Sequence, residues 1–396
     1  MQNLFKSLPF RLLVALIVGI LLGLVANEAV MTFIVPVHYI LGQFVNFMVP
    51  LIILGFIAPA IVTMGSNASR MLGVALLVAY CSSVMAAILT MFAGFGIIPN
   101  LHIASEVAGL KELPKMVFQL NIPQVMPVMT ALVTAVLIGL ATAWTKAKTW
   151  AHLLEELQQI VLTIVTHILI PVLPVFIATT FMKLSYQGVL TKQFPVFLKI
   201  IVIVMLCHYI WMGVLYFVAG LYAKKSGWDV LKNYGAAYLT AVGTMSSAAT
   251  LPVALRGAHA SCPPLQDDVV DFCIPLFANV HMPGSVLTET FFVMTISQIL
   301  YGEMPSMGKM IAFCMLLAIF GVAAPGVPGG TVMASLGLIT GLLGFDDNGT
   351  GMILAIFALQ DSFGTACNVT GDGALTLIMT RYAQKHHLKA AEPIED

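Results

Sequence analysis

Charge is the scarcest property of this chain. Lys, Arg, Asp and Glu make up only 9% of its 396 residues, where a soluble domain carries about a quarter. That deficit excludes a water-exposed shell around one core, and with 59% hydrophobic residues it indicates an integral membrane protein. Neither sign of charge predominates: 18 basic residues face 18 acidic ones. With no basic cluster and no zinc-type spacing, nucleic acid is excluded as a partner. Paired cysteines are missing as well. Cys81, Cys207, Cys262, Cys273, Cys314 and Cys367 are scattered, mostly within apolar runs, and none forms a C-x-x-C pair. They read as small buried hydrophobes rather than disulfides or metal ligands. A cleavable leader is not expected either. Lys6 and Arg11 precede the apolar run 12–26, but no small-residue cleavage site follows, so a retained first helix is expected. These absences give the class of molecule and none of its chemistry.

What is present is a succession of apolar runs long enough to span, at about 12–30, 33–64, 72–98, 125–144, 161–182 and 196–222, with short polar joints. With the N-terminus inside, the cytoplasmic joints carry Arg70, Lys146, Lys148, Lys224, Lys225, Lys232, Arg381, Lys385 and Lys389. The other side carries Lys111, Lys115, Lys183 and Lys192, partly offset by Glu106 and Glu112. This bias places both termini in the cytoplasm of a multi-pass protein of the cell (plasma or inner) membrane.

From about Trp228 the apolar stretches become interrupted at their middles. Two of them are expected to enter the membrane and turn back: 231–256, centred on Ser246, Ser247, Thr250 and Pro252, and 308–345, centred on 323–330 with Pro325, Val327, Pro328, Gly329 and Gly330. Proline removes a donor and glycine loosens the helix, so each middle leaves backbone groups unpaired. At membrane depth such backbone survives only around a polar cavity or inside protein. Between them the stretch 268–300 contains Asn279, His281, Met282, Pro283 and Gly284, and the Pro-Gly pair predicts a broken helix with freed carbonyls for a cation. The last apolar run, 352–379 within a helix expected over 350–381, holds a polar row. At about 100° per residue, Asp361, Thr365, Asn368 and Asp372 fall within about 60° of one another. Two carboxylates on a spanning helix point to a site rather than to a structural pair. The predicted fold is thus an all-α polytopic membrane protein with about eight spanning helices plus two re-entrant helical hairpins in inverted repeats.

The serine-rich tip 246–253, the glycine-rich tip 326–330 and the helix 361–372 resemble, in order and spacing, the dicarboxylate/amino acid:cation symporters, relatives of the excitatory glutamate transporters. The archaeal member is one of the known inverted-repeat examples. The motif resemblance covers roughly the C-terminal two fifths of the chain. It implies a homotrimer in the lipid bilayer. Residues 1–225 would form mainly scaffold and trimerisation helices, with the third span, 72–98, joining a mobile transport core over 226–384 and residues 385–396 forming a cytoplasmic tail. It also implies that Asp361 holds a substrate ammonium and that Asn368, Ser246, Ser247 and the second tip at Val327, Pro328 and Gly329 hold its α-carboxylate, with a further hydrogen bond from Thr365.

The departures from the pattern carry information too. Relatives taking acidic substrates place an arginine at the positions of Gly364 or Met245 here, so a small neutral amino acid is the expected substrate. The broken helix of the family reads Asn-Met-Asp-Gly-Thr, against His281, Met282, Pro283, Gly284 and Ser285 here, so the deep sodium site shared with Ser82 and Ser83 is expected to be lost. A sodium site at Asp372 and Asn368 with the carbonyl of His281 is expected to remain. Another is expected under the second tip, using Ala324, Asn279 and Met282. Protonation of His281 is an alternative to the missing sodium. The coupling ion is therefore sodium, a proton or both, with no other cofactor and no enzymatic activity. The rival readings are a carrier of a dicarboxylate or other organic acid, an uncoupled facilitator or channel, and an intramembrane aspartyl protease. The last is disfavoured because Asp361 and Asp372 stand about 16 Å apart along one helix.

Overall fold

The computed structural model describes residues 8–66, 70–101, 111–324 and 329–387, and among them there is helix but no strand. In chain order the helices are α1 (Leu8–Val25), α2 (Glu28–Ser66), α3 (Arg70–Ile97), α4 (Val128–Thr145), α5 (Lys148–Ile164), α6 (Ile170–Gln187), α7 (Val189–Ala223), the single turn α8 (Trp228–Leu231), α9 (Gly235–Thr244), α10 (Ser247–His259), α11 (Asp267–Val280), α12 (Pro283–Tyr301), α13 (Met307–Ala323), α14 (Gly330–Gly341) and α15 (Asp347–His386). Among the described residues, six stretches, 28–59, 70–101, 148–187, 198–223, 267–301 and 347–386, are long and apolar enough to cross a bilayer. The chain is an all-helical, multi-pass membrane protein. Large apolar side chains such as Leu21, Leu77, Phe92, Phe217 and Leu221 lie exposed on its spanning helices, where lipid tails are the matching solvent.

Several boundaries move from where hydropathy put them. The first span ends at Val25, because the Asn27 side chain accepts the Val30 N–H at 3.0 Å and α2 begins at Glu28. The fifth span is part of a longer unit, since a π turn at Val165–Leu169 carries α5 directly into α6. Pro283 does not interrupt a helix. It stands at the first position of α12, where its missing N–H is no loss, and the break lies just before it at His281 and Met282. Cys81 is exposed rather than buried.

The architecture centres on α15, a helix of 40 residues that stays unbroken from Asp347 to His386. It packs against α12, α7, α9, α11 and α3, while α1 lies along α6, and α2 along α4 and α5. Asp346 caps its start, accepting the Gly349 N–H at 2.9 Å and the Tyr301 hydroxyl at 2.8 Å.

Small residues let α12 and α15 approach closely. A Cβ on Gly284 would run into the carbonyl oxygen of Gly364 and lie 2.6 Å from the Cys367 Cβ, and a Cβ on Gly364 would lie 3.4 Å from the Ser285 nitrogen. Backbone cannot yield there as a flexible side chain would. Gly284→Ala is accordingly expected to lower stability by roughly 1–3 kcal/mol, read as a lower unfolding midpoint in detergent. Gly243→Ala, where a Cβ meets nothing within 4 Å, is the control.

Candidate functional site

Two helix starts and one carboxylate define the cavity. The first hairpin turns between α9 and α10 at Met245, whose φ is +52°, and Ser246. Ser246 is the N-cap of α10: its Oγ accepts the Ala249 N–H at 3.2 Å, while its carbonyl accepts the Thr250 hydroxyl at 2.9 Å. The tip is thus closed by its own hydrogen bonds. In the second hairpin, Gly329 adopts φ +74° as the N-cap of α14 and its N–H points at α15, donating to Asp361 Oδ2 at 2.7 Å. A left-handed conformation at this position favours glycine. Val327 and Pro328 lie outside the described residues.

The space between these tips is lined by Met245, Ser246, Ser247 and Ala248 from the first hairpin and by Ala324, Gly330 and Thr331 from the second. The broken helix contributes Ala278, Asn279, Met282 and Ser285, and α15 contributes Asp361, Thr365 and Asn368. Asp361 is the one carboxylate among these lining residues, and none of them is basic. Its side chain is 94% shielded, against a relative exposure of 6%. Two helix N-termini, those of α10 and α14, open onto the same space, and the positive ends of their dipoles are the positive element available.

The polar row of α15 divides over its length. Asp361, Thr365 and Asn368 face the cavity, whereas Asp372 does not line it. Asp372 is paired instead: its Oδ1 lies 2.8 Å from His281 Nδ1, and His281 Nε2 lies 2.8 Å from Ser82 Oγ. His281 and Asp372 are each 1% exposed and Ser82 7%. Ser83 accepts the Met282 N–H at 3.3 Å. Ser82, Ser83 and His281, the positions of the deep sodium site expected to be lost, thus lie together, and the imidazole joins them to Asp372 of the other expected site. Asn368 is similarly engaged. Its Oδ1 accepts the N–H of Gly284 at 2.7 Å, and its Nδ2 donates to Ser285 Oγ at 3.0 Å. The side chain caps the start of α12 and holds the break open. Asn279 donates to the Pro275 carbonyl at 2.8 Å.

Sequence reasoning missed Thr331 in the cavity wall and, deeper, Glu289. The Glu289 side chain is fully buried in α12. One oxygen accepts the Ser335 hydroxyl of α14, and the other has no partner among the described residues. Its signal was available: it is the one charged residue within α12, and an acid at such depth is a functional position by default.

This fold and site define a polytopic membrane protein with an internal polar chamber under two helical hairpins. The chain belongs to the sodium:dicarboxylate symporter family, whose profile matches residues 8–382. That is a family of secondary transporters and not of enzymes. The chain is similar to excitatory amino acid transporter 1 of Homo sapiens, 26% identical over 214 residues, which is 54% of this chain and 38% of the relative. It is also similar to excitatory amino acid transporter 2 of Homo sapiens, 26% identical over 185 residues, 46% of this chain and 31% of the relative. A putative sodium-dependent excitatory amino acid transporter, glt-4 of Caenorhabditis elegans, is 26% identical over 172 residues, 42% of this chain and 34% of the relative. The match thus spans less than two fifths of the length of these relatives.

Proposed function

We propose that the protein is a cation-coupled secondary transporter of a small neutral amino acid. The observation that carries this reading is the composition of the cavity: a single carboxylate, no basic side chain, and two converging helix N-termini. Asp361 matches an ammonium and the helix N-termini match an α-carboxylate, so a zwitterion leaves no buried charge unpaired. A second carboxylate on the substrate would have no partner, and an unpaired buried charge is strongly unfavourable. Thr365 and Ser247 supply further polar contacts.

Residues 226–384 form the moving body of an elevator-type cycle. α3 joins it because it packs on α12, α13 and α15, and α7 joins it because it runs along α15 and α12. α1, α2, α4, α5 and α6 form the stationary scaffold, in a homotrimer of the cell membrane with both termini cytoplasmic. The coupling cation is sodium, at Asp372 and Asn368 or under the second tip, or a proton at His281. The Ser82–His281–Asp372 contact supports a part for the imidazole in this coupling.

The test is uptake into proteoliposomes under a sodium gradient alone and a pH gradient alone, with alanine or serine against glutamate or aspartate. Accumulation of the neutral amino acids under at least one gradient is expected. Equal accumulation of glutamate would refute the substrate assignment, and downhill equilibration under both gradients would mark a facilitator. Met245→Arg sharpens the test: it sets a guanidinium on the cavity wall, and glutamate or aspartate binding is expected to rise at least tenfold. Unchanged selectivity would show that the tip does not face the substrate.

A further inference from the structure

Where the first hairpin returns to the surface, α10 ends at His259 and the chain turns into α11 with Asp267 and Asp271 on its first turns. His259 sits between the two acids. Its Nδ1 lies 2.7 Å from Asp267 Oδ1 and its Nε2 lies 2.9 Å from Asp271 Oδ1. Cys262 lies in the turn between them, and the ligand atoms of His259, Cys262 and Asp267 all fall within 4.8 Å of one another. The turn is anchored independently: Asn233 Nδ2 donates to Ser261 Oγ at 3.0 Å and is 3.3 Å from the Ala260 carbonyl.

We propose that His259, Cys262 and Asp267 form a binding site for a first-row transition metal of the zinc type, with Asp271 orienting the imidazole. The donor set is one nitrogen, one sulfur and one carboxylate oxygen, the mixture that zinc and cobalt accept. Three protein ligands leave the fourth tetrahedral position to water. Ligand atoms around such an ion stand about 3.5 Å apart. With all three ligand atoms within 4.8 Å and His259 Nδ1 2.7 Å from Asp267 Oδ1, the cluster needs a modest opening between His259 and Asp267, within reach of exposed side chains. A carboxylate on the far ring nitrogen is the feature that separates this cluster from an ordinary surface ion pair. Asp271 accepts the Nε2 proton, which leaves the Nδ1 lone pair for the metal.

Asp267 alone is accounted for as an acid at a helix start, but that role explains neither the second carboxylate on His259 nor the thiol beside it. The hydrogen bond that His259 donates to Asp267 raises the His259 pKa above its ordinary value, and burial with the nearby acids pushes the Cys262 thiol up to about 12.

The purified full-length protein, freed of metal with a chelator, would be titrated with Co2+ and then Zn2+. One Co2+ per chain with a thiolate-to-cobalt charge-transfer band is expected, displaced by Zn2+. Cys262→Ser is expected to remove the band and weaken binding at least 100-fold, and Asp271→Asn to weaken it 10–100-fold while keeping the band. Unfolding midpoints without metal establish that each variant is folded. A measurement on the unaltered chain covers the case where they are not: Zn2+ should slow maleimide labelling of Cys262 and leave that of Cys81 unchanged. No charge-transfer band in the unaltered protein, a band that survives Cys262→Ser, or equal labelling of Cys262 with and without Zn2+ would each overturn the assignment.

Discussion

Asp361→Asn should reduce amino-acid binding by roughly 200- to 4000-fold, the equivalent of about 3–5 kcal/mol for removing one partner of a buried charge pair. The asparagine retains an oxygen to accept the Gly329 N–H, so the contact between the second tip and α15 survives. Only the charge is lost. Binding by isothermal titration, together with uptake, measures the change. Thr365→Val, which removes one hydroxyl from the same wall, is expected to weaken binding by about 1 kcal/mol, or some fivefold. If Asp361→Asn bound as tightly as the unaltered chain, the carboxylate would not be the ammonium partner.

His281→Ala is expected to have the largest effect on stability. It leaves the Asp372 carboxylate, 1% exposed, without the imidazole, and Ser82 without its partner. Breaking a buried pair from one side costs about 3–5 kcal/mol. The unfolding midpoint in detergent should fall sharply. Asp372→Asn should be milder, because an amide still reaches the ring nitrogen. The double variant should be more stable than the sum of the two losses predicts, since neither half is then left charged and alone. Strict additivity would show that the two side chains do not act as a pair.

Much of this was legible in the sequence, for identifiable reasons. Glycine and proline at the middles of 231–256 and 308–345 mark the hairpins, and the spacing of Asp361, Thr365 and Asn368 gives their common azimuth on α15, where all three line the cavity. Periodicity along one helix, however, says nothing about what stands opposite at each height. That register is set by the backbone approach of Gly284 to Gly364. It brings Asn368 to the start of α12 and Asp372 to His281, rather than leaving all four groups on one chamber. The break at His281 and Met282 was misplaced by two residues because proline both breaks helices and begins them. Glu289 and Ser335, 46 residues apart in sequence, meet only through the packing of α12 on α14.

The most direct test of the zwitterion chamber is thermal stabilisation of the purified protein by alanine and serine, set against lactate and succinate. Each solute should be tried with sodium, with potassium and across pH. A ligand that binds the folded state at about 100 times its Kd adds about 2.7 kcal/mol of stability. Stabilisation by the amino acids, absent for the deaminated and dicarboxylate analogues and abolished by Asp361→Asn, is the predicted result. Equal stabilisation by lactate or succinate, or stabilisation by alanine that persists in Asp361→Asn, would contradict it.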